Sequence, residues 1–137
     1  MALLGTADAV QRRLSGTVAS AGVTLQQFNV LRILRGAGPA GLPTLTIRRR
    51  MIEEAPGITR LVDRLERAGL VRRDRASPDR RRVLCRITPA GMELLRKLDA
   101  PVAKADDAAF AVLTQAEQRE LIRLLGEVQA ANRSPRD

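Results

Sequence analysis

The chain of 137 residues has no histidine, no tryptophan and no tyrosine, and its one cysteine is Cys85. Without histidine, metal centres built on Cys/His clusters and imidazole acid–base catalysis are excluded by inventory. One cysteine cannot close an internal disulfide, which points to a reducing cytoplasm. The two phenylalanines, Phe28 and Phe110, are the only aromatic residues. Stacking on single-stranded nucleic acid therefore has almost no platform. No apolar run reaches the length of a membrane span, and the first residues lack the basic and apolar blocks of a signal peptide, so no membrane partner is expected. No carboxylate stands beside a base or nucleophile at a recognisable spacing, so the chain does not read as an enzyme, and no cofactor is expected.

What is abundant is arginine. The formal charge is +9, and of 24 basic residues only Lys97 and Lys104 are lysine. Between Thr44 and Thr88 stand 13 arginines and six acids, whereas the rest of the chain holds 11 basic and nine acidic residues. A local excess of that kind points to a face for a polyanion, with a solvated charged surface as the plainer reading. With stacking unsupported, duplex DNA is the better partner.

Periodicity sets the order of elements. Leu3, Ala7, Val10, Leu14 and Val18 recur at helical spacing, with Gly5 and Gly16 weakening that helix. Thr24-Leu-Gln-Gln27 reads as a capping box opening a helix with Phe28, Leu31 and Leu34 on one face and an end at Gly36. After the breaker GAGPAGLP, Thr44 is placed to cap a short helix holding Leu45, Ile47 and Met51. Ala55-Pro56-Gly57 suits a first helical turn, and Ile58, Leu61, Val62 and Leu65 form the next stripe, closed by Gly69.

Leu70–Arg73 and Val83–Ile87 read as strands joined by the Asp74–Arg82 turn. Thr88-Pro89 opens a long helix carrying Leu95, Leu98, Val102, Ala105, Ala109 and Val112, with Pro101 expected to kink or break it. A second capping box, Thr114 to Glu117, opens a last helix with Leu121, Leu124, Leu125 and Val128 on one side. The fold class is mainly α with a small β-hairpin (α+β), a winged helix-turn-helix. Its outer helices carry apolar stripes wider than one small domain covers, and a second copy of the chain would bury them.

In register, Thr24–Leu31, Ile58-Thr-Arg-Leu-Val-Asp-Arg-Leu-Glu66, Gly69–Arg73 and Asp79-Arg-Arg81 leading to Ile87-Thr88 resemble the MarR-type transcriptional regulators over about Thr24 to Leu95. The resemblance implies a homodimer on a palindromic operator. It divides the chain into a dimerisation helix over 1–22, a winged helix-turn-helix over 24–88, dimerisation helices over 89–132 and a flexible tail over 133–137. Many such proteins are repressors released by a small phenolic, an aromatic carboxylate or an oxidant. In the family the wing arginine, here Arg81, enters the minor groove. Arg48-Arg49-Arg50 departs from the family, whose members often mix acidic and small residues there.

A recognition helix reads bases near its N-terminus. The residues there are Ala55, Pro56, Gly57, Thr59, Arg60 and Arg64. Ala55 and Pro56 offer apolar contact, Gly57 close backbone approach, Thr59 a hydroxyl, and Arg60 and Arg64 guanidinium groups for guanine or phosphate. The plainer reading makes both arginines a solvated helix face. On the wing, alternation sends Arg80 and Arg82 to one side and Arg81 to the other. That suits Arg81 to a minor groove and its neighbours to phosphates. Asp79 is either the residue that holds the Arg81 guanidinium in one pose or a turn-former after Ser77-Pro78.

Arg72 and Arg75 are candidates for phosphates, and Asp63 with Arg73 for an ion pair between helix and wing. Cys85, in phase with Val83 and Ile87, reads as core rather than as a redox sensor. Val10, Leu14, Phe28 and Leu31 are candidates either for an effector pocket or for ordinary core. An interaction module that binds protein or nucleic acid without sequence preference is the alternative function.

Overall fold

The computed structural model describes residues 1–51, 57–75 and 83–133. Its first helix, α1 (Ala2–Ala19), is continuous through Gly5 and Gly16. The second, α2 (Leu25–Ala37), begins at the expected capping box. There the Thr24 hydroxyl accepts from the Gln27 amide at 3.1 Å and the Gln27 side chain accepts from the Thr24 amide at 2.9 Å. The helix runs one residue past Gly36 and is capped by Gly38.

A 3-10 turn over Gly38–Ala40 then leads into a two-residue strand, β1 (Leu42–Pro43). The Gly- and Pro-rich sequence implies only a loop there. Gly41 makes the strand possible: its φ is +72°, and a Cβ at this position would lie 2.6 Å from the Cys85 carbonyl oxygen. Only glycine lets the chain come this close to its neighbour in that conformation.

The short helix α3 (Thr44–Arg50) has Pro43, not Thr44, at its N-cap position and no side-chain cap. Thr44 stands inside the first turn, and its hydroxyl lies 3.6 Å from the Cys85 sulfur. Ile47 and Met51 enter the core as expected, while Leu45 stays 53% exposed.

The next helix, α4 (Ile58–Arg67), buries Ile58, Val62 and Leu65. It ends with Gly69 at φ +74°, the Gly69 amide donating to Glu66 and the Leu70 amide to the Leu65 carbonyl. This paired reversal is a Schellman motif, and it turns the chain directly into β2 (Val71–Asp74). The partner strand is β3 (Leu84–Ile87), and the three strands form an antiparallel sheet in the order β1-β3-β2. Arg72 pairs with Arg86, and Arg73 with Cys85.

Helix α5 (Pro89–Ala109) is capped by Thr88, which accepts from the Gly91 amide at 3.1 Å. Pro101 does not break it. The proline removes one helical donor, yet the exposed side of a helix already held by Leu95 and Leu98 tolerates that loss. Val112 lies beyond the end of α5 and is 91% exposed, so it is no part of the stripe.

Helix α6 (Gln115–Ala131) starts at the second capping box and buries none of its residues. The core collects Val30, Leu31 and Leu34 from α2 with Ile47, Val62, Leu65, Cys85 and Leu95, all fully enclosed. No helix among the described residues is long and apolar enough to cross a membrane.

Candidate nucleic-acid interface

Burying Ile58, Val62 and Leu65 turns the opposite face of α4 to solvent. Thr59, Arg60 and Arg64 are exposed there, and Gly57 sits at the N-cap. Arg67 continues the same stripe, three residues after Arg64, and is also exposed. None of these three arginines has an ion pair among the described residues. The exposed Arg48, Arg49 and Arg50 at the end of α3 add charge of the same sign. Ala55 and Pro56, and the wing residues Asp79, Arg80, Arg81 and Arg82, lie outside the described residues.

The exposed face of α4 is fastened to β2 at two points. Arg73 Nη1 lies 2.6 Å from Asp63 Oδ1, and Arg73 Nη2 donates to the Thr59 carbonyl at 3.1 Å. Glu66 takes the other end: it accepts the Arg73 backbone amide at 2.9 Å and Arg75 Nη2 at 3.0 Å. The Arg73 amide is the main reason the Glu66 carboxyl is held below the usual range. Partial burial opposes it, and Arg75 reinforces it. Arg75, expected on a phosphate, is thus paired with α4, while Arg72 is exposed and has no partner among the described residues. On the other face of the sheet Arg86 pairs with Asp74 at 3.0 Å.

Between α1, α2 and α5 lies a cavity of about 400 Å3 lined by Gln11, Leu14, Phe28, Arg32, Arg35 and Asp99 among others. The Arg32 guanidinium stands 5.7 Å from the Phe28 ring centroid, and Arg35 Nη1 donates to both Asp99 oxygens at 3.0 Å. Of the four residues expected to line such a pocket, Leu14 and Phe28 do. Leu31 is sealed in the core, and Val10 borders a separate groove with Ala2 and Ala109.

The model of the MarR family matches residues 23–83. The HTH-type transcriptional repressor Rv2887 of Mycobacterium tuberculosis is 31% identical over 124 residues, covering 90% of this chain and 88% of that protein. The chain belongs to the MarR family. It is a transcriptional regulator that binds DNA, not an enzyme. A protein described as a transcriptional regulatory protein for the hcr operon of Thauera aromatica is 33% identical over 76% of this chain. The match spans 61% of that relative's length. Among solved structures, NadR in complex with 4-hydroxyphenylacetate superposes with a TM-score of 0.73 at 29% identity, over 93% of this chain and 89% of that one.

Within this MarR-family chain, the structure adds Arg67 to the exposed basic face of α4 and Glu66 to its attachment to β2, neither of them among the residues the sequence singles out. Arg67 was legible from its spacing, because Arg60, Arg64 and Arg67 recur four and three apart on one helix face. Glu66 was not, because its partners come from β2 and are fixed only when the Gly69 turn brings that strand back. The basic residues that line the cavity, Arg32 and Arg35, carry no local mark either.

Proposed function

We propose that the chain acts as a homodimeric repressor on a palindromic duplex operator, with α4 in the major groove and the arginine-rich wing in the minor groove. Gly57, Thr59, Arg60 and Arg64, with Ala55 and Pro56 before them, meet the bases. Arg81 enters the minor groove beside Asp79, while Arg80, Arg82 and Arg72 meet phosphates. The single observation that carries this reading is the stripe Arg60, Arg64 and Arg67, unpaired among the described residues, on a helix clamped to the wing strand through Arg73 and Glu66. Free guanidinium groups on a rigidly held helix suit groove reading and phosphate contact. Duplex DNA as the partner places the work in the cytoplasm.

Homodimerisation is supported by α6, whose Ile122, Leu124 and Val128 are 71, 45 and 51% exposed. The inter-helix cavity suits a phenolic or aromatic carboxylate effector. Leu14 and Phe28 supply apolar wall, and Arg32 and Arg35 supply positive charge for an acid group. The complex of NadR with 4-hydroxyphenylacetate supports that chemistry.

Selection from a random duplex pool at low and moderate salt tests the proposal. Recovery of a palindrome with half-sites about one helical turn apart, still bound at the higher salt, is the expected result. Uniform binding that disappears as salt rises would reduce the arginines to electrostatic adhesion and leave a non-specific interaction module.

A further inference from the structure

A second cavity, of about 580 Å3, opens at the base of the hairpin, where β2 begins and β3 ends. Arg35, Arg72 and Arg86 line it together with Gly38, Pro39, Thr88 and Met92, and no acidic residue among those described does. Arg72 and Arg86 are direct register partners on neighbouring strands. Like charges placed directly opposite one another disfavour an antiparallel pair, so two guanidinium groups at this register call for an anion.

The carboxylates nearby do not balance them. Asp74 takes Arg86 and Asp99 takes Arg35, each at 3.0 Å, which leaves Arg72 without a partner among the described residues. The Arg86 side chain stays 30% exposed beyond its contact with Asp74, so the guanidinium remains open to a further acceptor. The cavity lies at the end of the hairpin away from the connecting turn, and so away from the part of the wing assigned above to the minor groove.

We propose that this cavity is a binding site for a small oxyanion, a carboxylate or a phosphate group, held by Arg35, Arg72 and Arg86. Guanidinium forks match the geometry of both groups and bind them bidentately. Two features make the site a point of regulation. Arg35 also lines the cavity between α1, α2 and α5, so an anion here competes with Asp99 for the guanidinium that both cavities share. Arg86 pairs with the last residue of β2, so occupancy is felt in the strand that leads to the wing.

The test titrates the full chain, free of DNA, with inorganic phosphate and separately with acetate against chloride at constant ionic strength, by calorimetry and thermal unfolding. Arg72→Gln is compared with Arg67→Gln, which removes the same charge from an exposed position outside the cavity. Arg72 is exposed and bonds no described residue, so its replacement leaves folding intact.

A saturable rise in Tm for the wild type and Arg67→Gln, with affinity at least about tenfold weaker in Arg72→Gln, is expected if one good charge-assisted contact is lost. Equal responses of the two variants, or no saturable response to either anion, would overturn the site. A duplex-binding arm separates the two sources of the oxyanion. An unchanged salt slope in Arg72→Gln assigns the site to a free small molecule and removes Arg72 from the phosphate contacts proposed above. A slope shallower by about 0.9 assigns it to a backbone phosphate of DNA.

Discussion

Replacing Arg73 by methionine keeps most of the aliphatic stem and removes the guanidinium that clamps α4 to β2. Two bonds go: the 2.6 Å contact to Asp63 and the 3.1 Å bond to the Thr59 carbonyl. A fully exposed pair contributes about 0–1 kcal/mol, whereas a hydrogen bond to a charged group contributes about 1.5–3 kcal/mol. The Arg73 side chain is only 12% exposed, but Asp63 is 40% exposed and regains water once its partner leaves. The ion pair therefore counts at the top of the exposed range and the Thr59 bond at the bottom of its own, about 2–3 kcal/mol in all.

A double-mutant cycle with Asp63→Ala should return a coupling of about 1 kcal/mol. The assay is urea unfolding at one fixed chain concentration, with duplex affinity measured alongside. Affinity should fall together with the coupling, because the clamp sets how the α4 stripe stands relative to the wing. A coupling below about 0.3 kcal/mol, within the scatter expected of independent sites, would refute the reasoning and make the pair an ordinary screened surface contact.

Two other outcomes follow from the same structure. Glu66 has a lowered folded-state pKa, so its contribution to stability is complete above the ordinary glutamate range and is lost as pH falls through the lowered value. The difference in urea midpoint between wild type and Glu66→Gln should accordingly shrink on acidification, and a difference independent of pH would contradict the assignment. Gly38 and Gly41 both have φ of +72°, but a Cβ meets nothing within 4 Å at Gly38 and the Cys85 carbonyl at 2.6 Å at Gly41. Alanine should cost about 1–3 kcal/mol of backbone strain at either position and visibly more at Gly41. Equal losses in thermal unfolding would mean that β1 does not depend on this close approach.

The features legible in the chain alone are those fixed within a few residues. Thr24 and Thr114 each carry their capping partner three positions ahead, and Ile58, Val62 and Leu65 announce a buried face by spacing alone. Leu42 and Pro43 could not be read as a strand, because two residues have no period and their extended state comes from pairing with Cys85 and Leu84. Thr44 looked like a cap because threonine favours that position, yet Pro43 occupies it and the Thr44 hydroxyl turns to Cys85. Pro101 signals a break by its intrinsic cost alone, and the helix it sits in is held by Leu95 and Leu98, which no local pattern at Pro101 reveals. Arg35 and Asp99 stand 64 residues apart, and only the meeting of α2 with α5 joins them. The same holds for Arg75 and Glu66, which only the return of β2 toward α4 brings together.

A 17-residue helix in which no side chain is fully buried ties the amount of protein to its integrity. If α6 is covered by a second copy, assembly and folding share one equilibrium, and stability rises with the logarithm of chain concentration. Each tenfold dilution then removes about 1.4 kcal/mol from the assembled state. Such a chain, made sparingly, is both slower to occupy its site and quicker to be cleared, so its own abundance becomes part of the signal.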